Sequence, residues 1–116
     1  MSEQREYTRL RHMLDHAREA VALAAGRART DLDRDRLLEL ALVRLLEIVG
    51  EAASRVSPED RAQYPLIPWS EIIGLRNRLI HGYDAVDQEI LWQIVVQDLP
   101  PLVIALEEIL EGHDAR

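Results

Sequence analysis

The sequence predicts an all-α protein, an antiparallel bundle of four to five helices with a kink in the last one. Apolar residues recur at three- and four-residue spacing along most of the chain, the interruptions are short and rich in glycine, proline and aspartate, and nothing in the pattern demands a strand. Each striped helix must bury its apolar face against another, and with short connections an antiparallel bundle does this most simply.

Tyr7, Leu10, Met13, Leu14, Ala17, Val21 and Ala24 form one stripe down a first helix that stops near Gly26. Residues 27–33 are polar and cap-like. Leu37, Leu38, Ala41, Leu45, Ile48, Val49 and Ala52 then continue the period into a long second helix. It should end around Ser57 and Pro58, because proline disfavours helix in the residue before it.

A turn-rich connector, residues 57–68, contains Pro58, Pro65 and Pro68. Pro68 suits the first turn of a third helix through Ile72, Ile73, Leu75, Leu79 and Ile80, with Gly82 as its terminator. Asp87 caps a fourth helix carrying Ile90, Leu91, Ile94, Val95 and Leu99. Pro100 and Pro101 then force a kink or restart before Val103, Leu106, Ile109 and Leu110. The last five residues are expected to fray. Trp69 and Trp92 sit among aliphatic residues and read as core or subunit-contact anchors.

At 116 residues the length fits one domain, residues 1–116. Cysteine is absent, which removes disulfides, thiolate nucleophiles and cysteine-held zinc. No apolar run approaches the roughly 20 residues of a membrane span and the first residues lack a signal-peptide segment, so the expected place is the cytoplasm, away from membranes. A net charge of -7 argues against broad attraction to nucleic acid, which comes mainly from phosphate neutralisation. Any RNA contact must then be a local cluster of arginines, the only basic residues besides histidine. Arg76 and Arg78 supply one, helped by Arg27 and Arg29 or by a second subunit. Aromatics at 4% are too few for a base-stacking platform.

Chemistry concentrates in residues 76–83, where Arg76, His81 and Tyr83 stand at fixed spacing as the apolar pattern runs out. A guanidinium can grip a phosphate bidentately, and histidine is the side chain whose ordinary pKa permits proton traffic near neutrality. On a regular helix Arg76 and His81 lie about 140° apart, so they converge only if the helix ends or distorts. Asn77 offers an amide to hold the histidine or the substrate, and Glu51 is the expected carboxylate partner of Arg76. The plainer structural reading gives Arg76 to Glu51, lets His81 cap the helix and leaves Tyr83 packing its ring.

Other clusters carry less. His12 and His16, four apart, make an incomplete metal site on a solvated face, because Asp15 does not share their azimuth. The run Asp31, Asp33, Arg34, Asp35, Arg36 lacks the glycine and terminal glutamate of a calcium loop and complements a helix dipole instead. Glu47 and Glu51, four apart, suit buried partners of an arginine. No metal or cofactor site is expected, and no glycine-rich phosphate loop marks a nucleotide-binding regulator.

Arg76, four residues, His81, one residue and Tyr83 together resemble the Arg-x4-His-x-Tyr motif of HEPN-domain toxins of the HepT type. The likeness extends, in order, through residues 50–53, 65–69, 76–83, Val86 and Asp87, Trp92, and Leu99 with Pro100, covering most of residues 5–111. The resemblance implies a small helical-bundle ribonuclease that works as a homodimer without a metal beside a minimal nucleotidyltransferase antitoxin. It implies that Arg76 and His81 are catalytic and that Tyr83 is an adenylylation site; Arg78 is an expected RNA contact, with Asn77 and Glu51 in support. The competing expectation is a non-catalytic helical module that binds a nucleotidyltransferase partner.

Overall fold

A computed structural model describes residues 2–81 and 85–114, and apart from one two-residue hairpin its ordered elements are helical. The first helix, α1, runs Ser2–Ala24. Gly26 follows with φ +76, a backbone conformation that costs glycine nothing, and the Arg27 amide donates to the Ala24 carbonyl.

The expected second helix is preceded by a short one within the stretch read as polar and cap-like. A single turn, α2 (Asp31–Arg34), precedes α3 (Arg36–Ser54), and Asp35 sits between them in a non-helical conformation. Its carboxylate accepts from the Leu38 amide and caps α3. That amide bond and then Arg27 hold the Asp35 carboxyl below the usual carboxylate range. Leu37, expected in the stripe, is 78% exposed in the first turn of α3. Leu38, Leu45, Val49 and Ala52 are buried as expected, joined by Leu42 and Leu46.

In the connector, where no helix was expected, Ser57 caps α4 (Pro58–Ala62) with Pro58 at its first position. The expected third helix is broken at Gly74 into α5 (Trp69–Ile73) and α6 (Leu75–Leu79). The Trp69 indole donates to the carbonyls of Arg61 and Tyr64, fastening α4 to the start of α5. Helix α6 ends three residues before Gly82, because Ile80 is already extended. Ile80–His81 forms strand β1, antiparallel to β2 (Ala85–Val86), a pairing that the helical pattern did not predict.

Asp87 caps α7 (Gln88–Gln93) through the Ile90 amide, as the sequence predicts. The chain then continues through a π-helical segment, Ile94–Asp98, into α8 (Leu99–Asp114). Neither proline restarts the helix. The Leu99 amide bonds to the Ile94 carbonyl five residues back, and this widened turn precedes Pro100 and Pro101 in the first turn of α8, where missing amides cost least.

The expected frayed tail is also helical as far as it is described. Tyr7 donates to Asp114, Arg11 pairs with the same carboxylate, and His113 lies 4.4 Å from the Tyr7 ring. By length and composition alone, residues 88–114 are long and apolar enough to cross a membrane, which the residue pattern did not suggest. Here the Leu91, Ile94, Val95, Leu99, Leu102, Leu106 and Leu110 side chains are buried in the core.

The core forms where α1 packs against both α3 and α8. Met13, Leu14, Leu42, Leu46, Val49 and Leu106 are fully enclosed there, each fully buried aliphatic side chain contributing about 1.5–3 kcal/mol. At Gly50, α3 meets α5 so closely that a Cβ would lie 2.9 Å from the Ile72 carbonyl oxygen, a backbone atom with little freedom to retreat.

Glycine-to-alanine exchange within a helix ordinarily stabilises by about 1 kcal/mol. Gly50→Ala is expected to reverse that sign, since overpacking against a fixed backbone costs about 1–3 kcal/mol. Thermal unfolding reads this as a melting temperature lowered by several degrees; a melting temperature equal to or above that of the parent chain means α5 can withdraw.

Candidate active site

Glu47, Gly50 and Glu51 occupy positions i, i+3 and i+4 of α3 and therefore share a face. Gly50 admits the backbone of α5 to that face, and the break at Gly74 turns the chain so that α6 brings Arg76 over it. Arg76 Nε lies 3.7 Å from Glu47 Oε2. The expected partner, Glu51, is engaged by Arg55 at 3.0 Å instead.

An open groove of about 390 Å³ lies between these elements, lined by Glu47, Gly50, Glu51, Arg55, Ile73 and Arg76. The Arg76 side chain is 73% exposed. At 3.7 Å its contact with Glu47 is an ion pair too long for a hydrogen bond, and exposed pairs of that kind contribute no more than about 1 kcal/mol. Its donors therefore remain open to an incoming anion.

His81 stands two residues beyond the end of α6, in β1, with its side chain 63% exposed. The 140° offset of a regular helix no longer applies, because the chain is extended at Ile80 and His81. Nor does His81 cap the helix. Its Nε2 lies 3.7 Å from Asp87 Oδ2. Asp87 is itself pinned, its amide donating to the Leu79 carbonyl at 2.8 Å and its Oδ1 accepting from Ile90 at 3.0 Å. The sequence marks Asp87 only as a helix cap. Its second role becomes visible when the hairpin folds it back beside His81, and the available signal was the glycine-containing turn between the two.

A buried polar network steadies this corner. Glu39, only 5% exposed, accepts from Arg36 at 2.9 Å and from the Gln88 side chain at 2.6 Å. Gln88 also accepts a long hydrogen bond from Arg29. These contacts fasten the start of α7 to α2 and α3, and nothing in the residue pattern singled out Glu39.

Among the described residues, no hydrogen bond joins Arg76 to His81, and each rests on its own carboxylate from a different element. Asn77 is exposed, which accounts for a polar residue in that helix, and its side chain makes no hydrogen bond among the described residues. Arg78 turns toward the last helix, 3.7 Å from Asp98, so it does not cluster with Arg76. Arg27 is held by Asp35, and Arg29 by Asp33 and Glu89. Tyr83, the expected modification site, lies outside the described residues, as do Gly82 and Asp84. His12 and His16 have edge-on rings 6.3 Å apart, with the His16 ring nitrogen bonded to the His12 carbonyl.

A larger cavity of about 600 Å³ lies elsewhere, among the start of α1, the connector and the end of α8. Glu6, Asp60 and Glu108 line it, and burial followed by the proximity of Asp60 pushes the Glu6 carboxyl up. Such an acidic wall repels phosphate. The groove beside Arg76 is the better place for it.

The family model described as Ribonuclease HepT-like matches residues 13–109. A protein named "Putative RNase" from Caldanaerobacter subterraneus subsp. tengcongensis is 35% identical over 102 residues, covering 88% of this chain and 91% of the relative. Another so named from Methanocaldococcus jannaschii is 33% identical over 90 residues, covering 78% and 83%. One named "Probable ribonuclease HepT" from Thermococcus cleftensis is 37% identical over 75 residues, covering 65% and 68%. No solved structure matches significantly.

Asparagine can cap a helix as well as aspartate can, whereas alanine cannot, and losing a cap costs about 1 kcal/mol. Asp87→Ala is therefore expected to lower the melting temperature by several degrees and Asp87→Asn by much less. Equal losses in differential scanning calorimetry would mean that the charge beside His81, and not the cap, holds the start of α7.

Proposed function

The chain belongs to the HepT-like ribonuclease family, and from that premise we propose that it is a metal-independent RNA endonuclease, the toxin of a toxin–antitoxin pair, with Arg76 and His81 as its catalytic residues. The observation that carries this reading is the exposure of both groups, Arg76 in the wall of an open groove and His81 just past the end of the same helix, each with a carboxylate at 3.7 Å.

The chemistry follows from what those groups can do. The 2′-oxygen of the RNA attacks the adjacent phosphorus, the 5′-oxygen leaves, and a 2′,3′-cyclic phosphate results. A neutral imidazole takes the proton from the 2′-hydroxyl, and an imidazolium returns one to the departing oxygen. Arg76 balances the negative charge that grows on the phosphoryl oxygens.

One His81 cannot be base and acid in the same instant. A homodimer that brings two copies of the motif face to face across a two-fold axis supplies one of each. The separate carboxylates that hold Arg76 and His81 within one subunit favour that arrangement. Asn77 and Arg78 assist by positioning RNA at the edges of the site, and the expected place of action is the cytoplasm.

The partner is a minimal nucleotidyltransferase antitoxin that adenylylates Tyr83. Adding the nucleotide places a bulky phosphodiester anion seven residues from Arg76, where it competes for the guanidinium that RNA needs. Inhibition then requires no unfolding.

Arg76→Ala and His81→Ala should each reduce cleavage of a single-stranded RNA by about 10²–10⁴-fold, with the parent enzyme active in excess chelator. Full cleavage by folded His81→Ala would take His81 out of the reaction, and absence of cleavage by the parent chain would leave a helical module that only binds a nucleotidyltransferase. Tyr83→Phe should keep cleavage while resisting the antitoxin and ATP; loss of RNA cleavage in that variant would put the phenol in the reaction instead.

A further inference from the structure

Two concavities adjoin on α3. The groove beside Arg76 shares Arg44, Glu51 and Arg55 with a second depression of about 320 Å³, which continues across α3 to Arg9 and His12 of α1. They form one channel leading away from Arg76. We infer that this channel is a track for the phosphates of a single-stranded RNA, with Arg9, Arg44 and Arg55 as its binding residues, and this inference rests on the ribonuclease reading above.

The charge balance of the channel differs from that of the protein. Four guanidiniums face two carboxylates, Glu47 and Glu51, on a chain whose net charge is -7. A local positive strip in an otherwise negative surface draws a polyanion to that strip and away from the rest. Glu47 is divided between Arg44 and Arg76, each at 3.7 Å, so neither arginine spends a full hydrogen bond on it. The Arg9 Nε is buried and has no hydrogen-bond partner among the described residues.

Spacing sets the kind of ligand. Arg44 on α3 and Arg55, the residue that caps its C-terminus, lie 11 positions apart, about 16 Å along the helix axis, which is more than one phosphate can span. The channel carries no aromatic side chain besides the His12 imidazole, so it offers contacts to the backbone and no platform for stacking bases. An extended strand held by its phosphates fits both facts. Such a track lengthens the footprint of the enzyme without adding sequence preference.

Binding is measured without cleavage by placing all variants in a His81→Ala background and titrating a fluorescent single-stranded RNA at several salt concentrations. Arg44→Gln with Arg55→Gln should weaken binding about tenfold and flatten the slope of log Kd against log salt by about 1.4, the value for two lost phosphate contacts on a single strand. The double lysine variant, which keeps both charges, should restore most of the affinity and serves as the folding control. Unchanged affinity and slope in a folded double glutamine variant would overturn the track. So would a change in its sedimentation, which would make the channel a subunit contact. If RNA binds through these arginines but the parent chain does not cleave it, the ribonuclease reading fails and the track stands.

Discussion

Everything that gives the candidate site its shape depends on one close approach, the Ile72 carbonyl resting against the bare Cα of Gly50. A side chain there would hold α5 away from α3. With α5 displaced, α6 would follow, and Arg76 would no longer reach Glu47 one turn along the same α3 face. A missing methyl group in the second helix thus determines where a guanidinium sits on the third. Backbone contact also explains why the split at Gly74 matters, since two short helices can follow the surface of α3 where one straight rod of 11 residues would leave it.

The electrostatics share a common design. The protein is acidic overall, yet its arginines are not scattered free; Arg44, Arg76 and Arg78 are held by carboxylates at ion-pair rather than hydrogen-bond distance. Solvent-exposed pairs of this sort are weak and exchangeable. A phosphate, which offers a guanidinium two parallel hydrogen bonds, competes with them successfully. The carboxylates keep the cations oriented in the absence of ligand and yield when a better anion arrives. Arg27 and Arg29 differ, because their contacts are near 3 Å and tie the start of α2 to α3 and α7. Arg55 likewise stands 3.0 Å from Glu51, so beside the groove the loosely held guanidiniums are those of Arg44 and Arg76.

Much of this was legible in the residues. The stripe on α1, its end near Gly26 and the cap at Asp87 rest on local rules that the structure obeys. What escaped were features decided by contacts between elements. Leu37 fits a helical period but lies in the first turn of α3, off the face that packs in the core, and is exposed. The break at Gly74 had a local sign in the poor helix propensity of glycine, but where α6 lies after it depends on packing against α3. Glu47 and Glu51 are equivalent in a periodicity plot, so the partner of Arg76 could only be chosen once the path of α6 was known. The hairpin at His81 is two residues per strand, shorter than any pattern that alternation can reveal.

The same reasoning explains why reactive groups gather at this corner and not in the core. A fully regular helix from Pro68 to Gly82 would have separated Arg76 from His81 by about 140° and left the imidazole on a face of its own. Ending the helix at Leu79 frees His81 from that constraint, and the hairpin returns Asp87 to its side. Asp87 can hold that place because its amide and one carboxylate oxygen are already fixed by Leu79 and Ile90, leaving only the second oxygen for the histidine. The buried Glu39–Gln88 contact then anchors α7, so that the orientation of an exposed imidazole is referred back to the interior of the bundle. Exposure supplies access to a substrate and the buried network supplies direction, and a site at the edge of a rigid helical core can have both.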